Sequence, residues 1–292
     1  MPPLRALRAS RIVPGRRLGQ AIRALARAAP CALLIAAAGL CHAAPPAPVD
    51  VTIYADDGYP PYSYGEDGKA RGIYAEILNK AFEQMPQYRV TVVPVPWKRG
   101  LRLLESGQGF ALYPPYFRPD ERPYIKYSEP ILDEQVVVFC NRLTTSNRNL
   151  KTWPDDYVGL TIGTNAGFLL GGKEFDRYVA AGRITRDSST SSHGSVLKML
   201  SGRNDCYIND RLAIRWEVDQ IRRHGEVEAQ RIAIVETNRL YSEKGHLGFT
   251  DRDDGRFEFK NNFMQDLNAA IIRMKNDGEI DRAVERFLNA LR

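Results

Sequence analysis

From residue 49 onward the chain switches hydrophobic period repeatedly, and the order of the switches restricts the fold more than any other feature. Residues 49–54 alternate and are β-rich. Ile73, Ile77, Leu78 and Phe82 then fall on one face of a helix over 73–83, and 88–95 is a second strand rich in valine. A helix over 98–105 stops at Ser106-Gly107, and 110–113 is a short apolar strand. This is a strand–helix–strand–helix–strand order, the pattern of a parallel sheet with helices on its faces. A proline-punctuated loop, YFRPDERPYIKYSEP, follows. The alternation then resumes: strands at 135–140, 160–164, 184–187, 205–208 and 232–236, and helices at 173–180, 194–200 and 210–223. Two helices, 261–276 and 279–291, close the chain.

The first 43 residues differ from the rest. They carry seven arginines and no acid, then an apolar run from Ala28 to Leu40 and small residues in CHAAPPAP. A basic start, a short apolar stretch and a small-residue exit describe a secretory signal peptide over residues 1–43, cleaved after Ala43. The apolar run is shorter than the about 20 residues that span a bilayer. The precursor has 41 basic and 35 acidic residues; without the seven arginines it has 34 against 35. The positive charge thus belongs to the leader, and nothing remains that asks for nucleic acid or an anionic membrane. Export to an oxidising compartment, a periplasm, lets Cys140 and Cys206 pair, or remain two separate buried thiols.

His193, His224 and His246 are isolated and His42 lies at the edge of the leader, so no metal spacing is present. There is no nucleophile elbow, P-loop or dinucleotide fingerprint, and no cofactor is expected.

Several segments resemble, in order, the bacterial extracellular solute-binding proteins of the polar amino-acid type, family 3. YPPYSY followed by EDGKARGIYAEIL is similar to the opening of that family's first lobe, and PWKRGLRLLESGQG to its second helix and turn. RPDERPYIKYSEPI resembles its arginine loop and first crossover. GRNDCYINDRLA resembles the second-lobe strand that ends in an acid, and LNAAIIRMKNDGEIDRAVERFL the closing helix pair. The resemblance covers nearly the whole chain after the leader. It implies the α/β periplasmic binding protein type II fold: two lobes, each a mixed, mostly parallel sheet flanked by helices, joined by two crossover strands. Lobe 1 would comprise 44–130 and 241–292, and lobe 2 131–240. A ligand would sit between them, beyond the carboxyl ends of the strands.

The resemblance also implies site residues. Arg122 in PDER matches the family's carboxylate clamp, a role that suits the planar guanidinium fork. The family's hydroxyl residue three places earlier is Pro119 in this chain, and the stretch that follows is one residue short, so Arg118 competes with Arg122. Asp210 in YIND matches the acid that would hold a ligand ammonium; a plain helix N-cap is the other reading. Proline stiffens YPPYSY and tyrosines give it flat, amphipathic area, so Tyr59, Tyr62 and Tyr64 read as a preformed ligand wall or as packing. YPPYF, with Tyr116 and Phe117, replaces small residues in the family's other first-lobe loop, and Trp97 is a further aromatic candidate. Asn165, Gly167 and Phe168 lie in a glycine loop whose N–H groups can receive an anion. Cys140 and Cys206 fall on strands that the family places side by side, which implies a disulfide.

The expected function is capture of an amino acid or similar zwitterionic or anionic solute by a monomer, through hinge closure, for an inner-membrane ABC permease. Two rivals stay open. One is an enzyme on this fold, as cyclohexadienyl dehydratases are, with Glu66, Glu76 or Asp210 as acid or base. The other is an accessory or sensing module with a protein partner.

Overall fold

A computed structural model describes residues 47–226 and 233–289. The expected signal peptide, the first residue of the strand read at 232–236 and the last two of the helix read at 279–291 lie outside the described residues. The elements in chain order are β1 (Val49–Asp56), β2 (Gly58–Tyr59), β3 (Ser63–Glu66), β4 (Lys69–Arg71), α1 (Ile73–Glu83), β5 (Tyr88–Val95), α2 (Trp97–Glu105), β6 (Ala111–Tyr113) and β7 (Ile125–Tyr127). Then come β8 (Leu132–Asn141), α3 (Arg142–Asn147), β9 (Thr161–Asn165), α4 (Gly172–Ala180), β10 (Thr185–Ser189), α5 (Ser192–Leu200), β11 (Cys206–Asp210) and α6 (Arg211–His224). The last are β12 (Ile234–Gly245), β13 (Gly248–Thr250), α7 (Lys260–Asn276) and α8 (Glu279–Asn289).

Two mixed five-stranded sheets organise two lobes. The first has the order β5-β1-β6-β13-β7 and the second β10-β9-β11-β8-β12. In the first, β1 runs parallel to β5 and β6, with Ile53 between Val92 and Ala111. The apolar face of α1 (Ile73, Ile77, Leu78, Ala81) packs there with Phe263, Leu267 and Ile271 of α7. In the second, β8 is apolar on both faces because both are covered. Val136, Val138 and Cys140 join one buried cluster, and Val137 and Phe139 another. The chain passes between the sheets along β8 and β12, which lie antiparallel from Leu132↔Gly245 to Ile234↔Asn141.

Four local readings change. YPPYSY is not a plain loop: Tyr59 pairs with Ser63 in a small β2-β3-β4 sheet. The proline-punctuated loop contains an edge strand, β7. The strand read at 232–236 runs on to Gly245. Its polar sequence hid it, because pairing with β8 and two register shifts hold it rather than a continuous apolar face. β13 was unread: three residues inserted between β6 and β7, with Gly248 so close to Ile125 that a Cβ would lie 2.7 Å from its Cγ2. Among the described residues no helix is long and apolar enough to cross a membrane.

Candidate ligand-binding cleft

The YPPY segment is tied to the start of α1. Ile73 N–H donates to the Pro61 carbonyl and Tyr74 N–H to the Tyr62 carbonyl, each at 3.0 Å, so the loop satisfies the open donors of the helix end. Gly72 (φ 108°) makes this approach possible; a Cβ there would sit 2.5 Å from the Tyr62 carbonyl oxygen. The rings of Tyr59 and Tyr62 stack at 5.2 Å. Their hydroxyls go to two buried acids. Tyr59, Tyr74 (2.5 Å) and Tyr116 (2.6 Å) all donate to Glu134 on β8, and the Tyr62 hydroxyl helps hold down the pKa of Asp210. Glu134 is 2% exposed. Burial and the nearby Asp210 charge push its carboxyl up to about 8, against the pull of the three hydroxyls. Burial also raises Asp210, opposed by its backbone hydrogen bonds, and holds the four tyrosines well above their ordinary value.

Across the cleft the two lobes meet at the β9 loop. Arg122, 5% exposed, donates to the Gly167 carbonyl at 2.8 Å and lies over the Trp97 ring, 5.5 Å from its centroid. Trp97 Nε1 donates to the same carbonyl at 3.3 Å. The Phe168 ring stands edge-on to both Tyr59 (5.2 Å) and Trp97 (5.7 Å). Among the described residues no carboxylate pairs with Arg122, and burial lowers its pKa. The cavity these side chains share with Pro114, Tyr116, Arg118, Leu169 and Leu170 is only ≈ 20 Å³, room for about one water.

The remaining candidates are distributed unevenly. Arg118 is committed to Glu243 on β12, at 3.1 Å through Nη1 and by a second contact through Nη2. Of the two competing arginines, Arg122 alone is left without an acid. Asp210 caps α6, accepting from Leu212 N–H (2.6 Å) and Ala213 N–H (3.0 Å), and reaches β8 through Gln135 N–H (2.7 Å). Asn165 turns into the second lobe, where its amide meets Ser192, Ser195 and Tyr207. That network anchors the loop that presents Gly167. Tyr64 sits on β3 opposite Arg71 and does not line the cavity. Phe117 is 53% exposed and packs on Tyr127 and His246 instead. Cys140 and Cys206 face each other across β8 and β11 and form a disulfide.

Residues 51–290 match the model of the bacterial extracellular solute-binding proteins, family 3. The chain belongs to that family. Solved structures with a similar fold include a mutant of ArgBP from T. maritima, at 16% identity over 82% of this chain and 95% of that one, with a TM-score of 0.65. The arginine-, lysine-, histidine-binding protein ArtJ from Geobacillus stearothermophilus is similar at 13% identity over 82% and 95%, TM-score 0.63. A histidine kinase sensor domain with similarity to periplasmic binding proteins gives 14% identity over 82% and 96%, TM-score 0.67. At these identities the likeness is one of fold. A comparison with curated proteins returned no match.

In this family 3 chain, sequence reasoning missed Glu134 and Tyr74. Glu134 had a readable signal. It shares a strand face with Val136, Val138 and Cys140, so period 2 sends an acid where its neighbours are buried. Tyr74 reads as one more apolar residue of α1, and nothing in the sequence tells its hydroxyl apart.

Proposed function

We propose that the protein is an exported, monomeric solute-binding protein of the periplasm. Residues 1–43 would be removed as a signal peptide. Lobe 1 (44–130 with 241–292) and lobe 2 (131–240) would close on a small solute bearing a carboxylate, an amino acid or a similar zwitterionic or anionic compound, and deliver it to an ABC permease. No chemistry on the solute is part of this reading. The observation that carries it is Arg122: a buried guanidinium at the meeting of the lobes, with a neutral carbonyl as its hydrogen-bond partner. A buried cation whose partners are a carbonyl and an aromatic ring favours an incoming anion, because opposite charges add a Coulomb attraction that neither partner supplies. Family membership and a fold shared with ArtJ and ArgBP support the same reading.

A thermal-shift screen of unfolded and refolded protein tests it. At one hundred times Kd a native-state ligand stabilises by about 2.7 kcal/mol. Carboxylate-bearing solutes are expected to raise Tm, neutral sugars and polyamines are not, and Arg122→Gln abolishes the shift. A screen in which no carboxylate stabilises a folded protein refutes the reading. The similarity to a histidine kinase sensor domain favours one other role, ligand-driven signalling on the same fold. Unchanged uptake of the labelled ligand in a strain lacking the protein would favour signalling over import.

A further inference from the structure

We propose that the solute is an aromatic carboxylate without an ammonium group, its ring taking the place of Phe168 between Tyr59 and Trp97 and its carboxylate taking the place of the Gly167 carbonyl on Arg122. The inference rests on the solute-binding reading above and narrows its ligand class.

Two observations point to it independently. The first is the state of the acids. A zwitterionic amino acid needs an acceptor for its ammonium, and a carboxylate offers about four acceptor sites. Asp210 uses Oδ1 for Leu212 and Ala213 N–H and Oδ2 for Gln135 N–H, three of those sites. Glu134 is taken by three tyrosine hydroxyls and lies behind the rings of Tyr59 and Tyr116, which themselves line the cavity. No aspartate or glutamate is among the residues that line the cavity, so an ammonium there would find no carboxylate at its wall. Freeing Asp210 would undo both the cap of α6 and the tie to β8.

The second is what fills the cleft. One dipeptide of the second lobe, Gly167-Phe168, meets the first-lobe side chains here, and Phe168 lines the cavity of ≈ 20 Å³. Its carbonyl takes two donors, Arg122 Nη2 at 2.8 Å and Trp97 Nε1 at 3.3 Å. Its ring takes the two edge-on aromatic contacts, with Tyr59 and Trp97. An oxygen acceptor on a guanidinium, joined by a short linker to a phenyl ring, is the outline of an aromatic acid. The donors and rings of the first lobe thus form a site that a piece of the second lobe satisfies, and a ligand of that outline exchanges for it. The acceptor improves from a neutral oxygen to an anionic one.

The test is calorimetric titration of the refolded full chain at neutral pH with 3-phenylpropanoate, L-phenylalanine, phenethylamine and propanoate. The expected order has 3-phenylpropanoate at least tenfold tighter than L-phenylalanine and propanoate, with phenethylamine silent. Phe168→Ala removes the internal occupant, so it raises affinity for 3-phenylpropanoate at least threefold, because the competent fraction grows. Weaker binding in Phe168→Ala would make Phe168 a wall and not a surrogate, and would overturn the proposal. So would an amino acid that binds as tightly as its deaminated counterpart and loses that affinity in Asp210→Asn; the solute-binding reading would survive that result. If no carboxylate binds at all, both fall together.

Discussion

Glu134→Gln isolates the electrostatic cost of burying the acid on β8. The hydroxyls of Tyr59, Tyr74 and Tyr116 hold this carboxyl down, and burial and the Asp210 charge push it up more strongly. Its value rises from 4.5 to about 8 in the folded protein. Below pH 4.5 the carboxyl is protonated folded or unfolded and costs nothing. Between 4.5 and about 8 the folded state holds a proton that the unfolded chain has released, so stability falls as pH rises through this window. At about 1.4 kcal/mol for each tenfold change, the loss reaches about 5 kcal/mol by pH 8. Glutamine keeps the shape and a carbonyl acceptor for the hydroxyls but does not ionise. Urea unfolding of both proteins, disulfide intact, from pH 4.5 to 8.5 reads the difference. The two are expected to agree within about 1 kcal/mol at pH 4.5 and to diverge to about 5 kcal/mol in favour of the variant at pH 8. A slope of about 1.4 kcal/mol per pH unit remains in Glu134→Gln up to about pH 7, because buried Asp56, raised to about 7 chiefly by desolvation, titrates in the same direction; the comparison therefore rests on the difference between the two proteins. Parallel profiles would show that Glu134 ionises at its ordinary value, and the account of burial as the main force on this carboxyl would be wrong.

Other substitutions probe the same frame. Gly245→Ala places a Cβ 1.7 Å from the Tyr74 hydroxyl and 3.0 Å from Glu134 Oε1. It should cost about 1–3 kcal/mol, and adding Tyr74→Phe should recover part of the loss in thermal melts. Asp210→Ala removes the α6 cap and the Gln135 contact, for a loss of about 1–2 kcal/mol; Asp210→Asn should retain most of it. Cys140→Ala/Cys206→Ala opens a link across 66 residues. Loop-closure entropy predicts a loss of about 4 kcal/mol, and an unchanged urea midpoint would contradict the chain-entropy account.

What the sequence revealed follows the strength of its patterns. α1 and β5 are observed with the expected bounds, 73–83 and 88–95, because Ile73, Ile77 and Leu78 hold one helical face and the β5 valines a short β-rich run. β12 escaped because IVETNRLYSEKG has no clean period; its structure is imposed from outside by β8. The disulfide followed from the family's strand order, and the opposed pair Cys140↔Cys206 bears that out. The site was legible in residue type and much less so in direction. Tyr59, Trp97, Tyr116, Arg118, Arg122 and Phe168 do converge on one cavity. Tyr64, Phe117 and Asn165 look as suitable in the sequence, yet strand parity, an exposed turn and a buried amide network point them elsewhere. Such direction is fixed by long-range pairing, which a local pattern does not encode.

The arrangement of charge separates the two halves of the cleft into different physical roles. On one side, carboxylates sit behind tyrosines and accept every hydroxyl within reach. Those bonds tie α1, the YPPY segment, β8 and the head of α6 into one polar block. Such a block fixes one wall of the cleft, and neither of its acids lines the cavity. On the other side, Arg122 and Trp97 Nε1 share a single neutral acceptor supplied by the opposite lobe. Contact there is replaceable, since an anionic acceptor adds to the guanidinium hydrogen bond a Coulomb attraction that a neutral carbonyl lacks. A ligand shifts an equilibrium only by its differential affinity for the two states. In the proposed function that difference arises at Arg122, while the tyrosine–carboxylate block fixes the geometry in which it is felt.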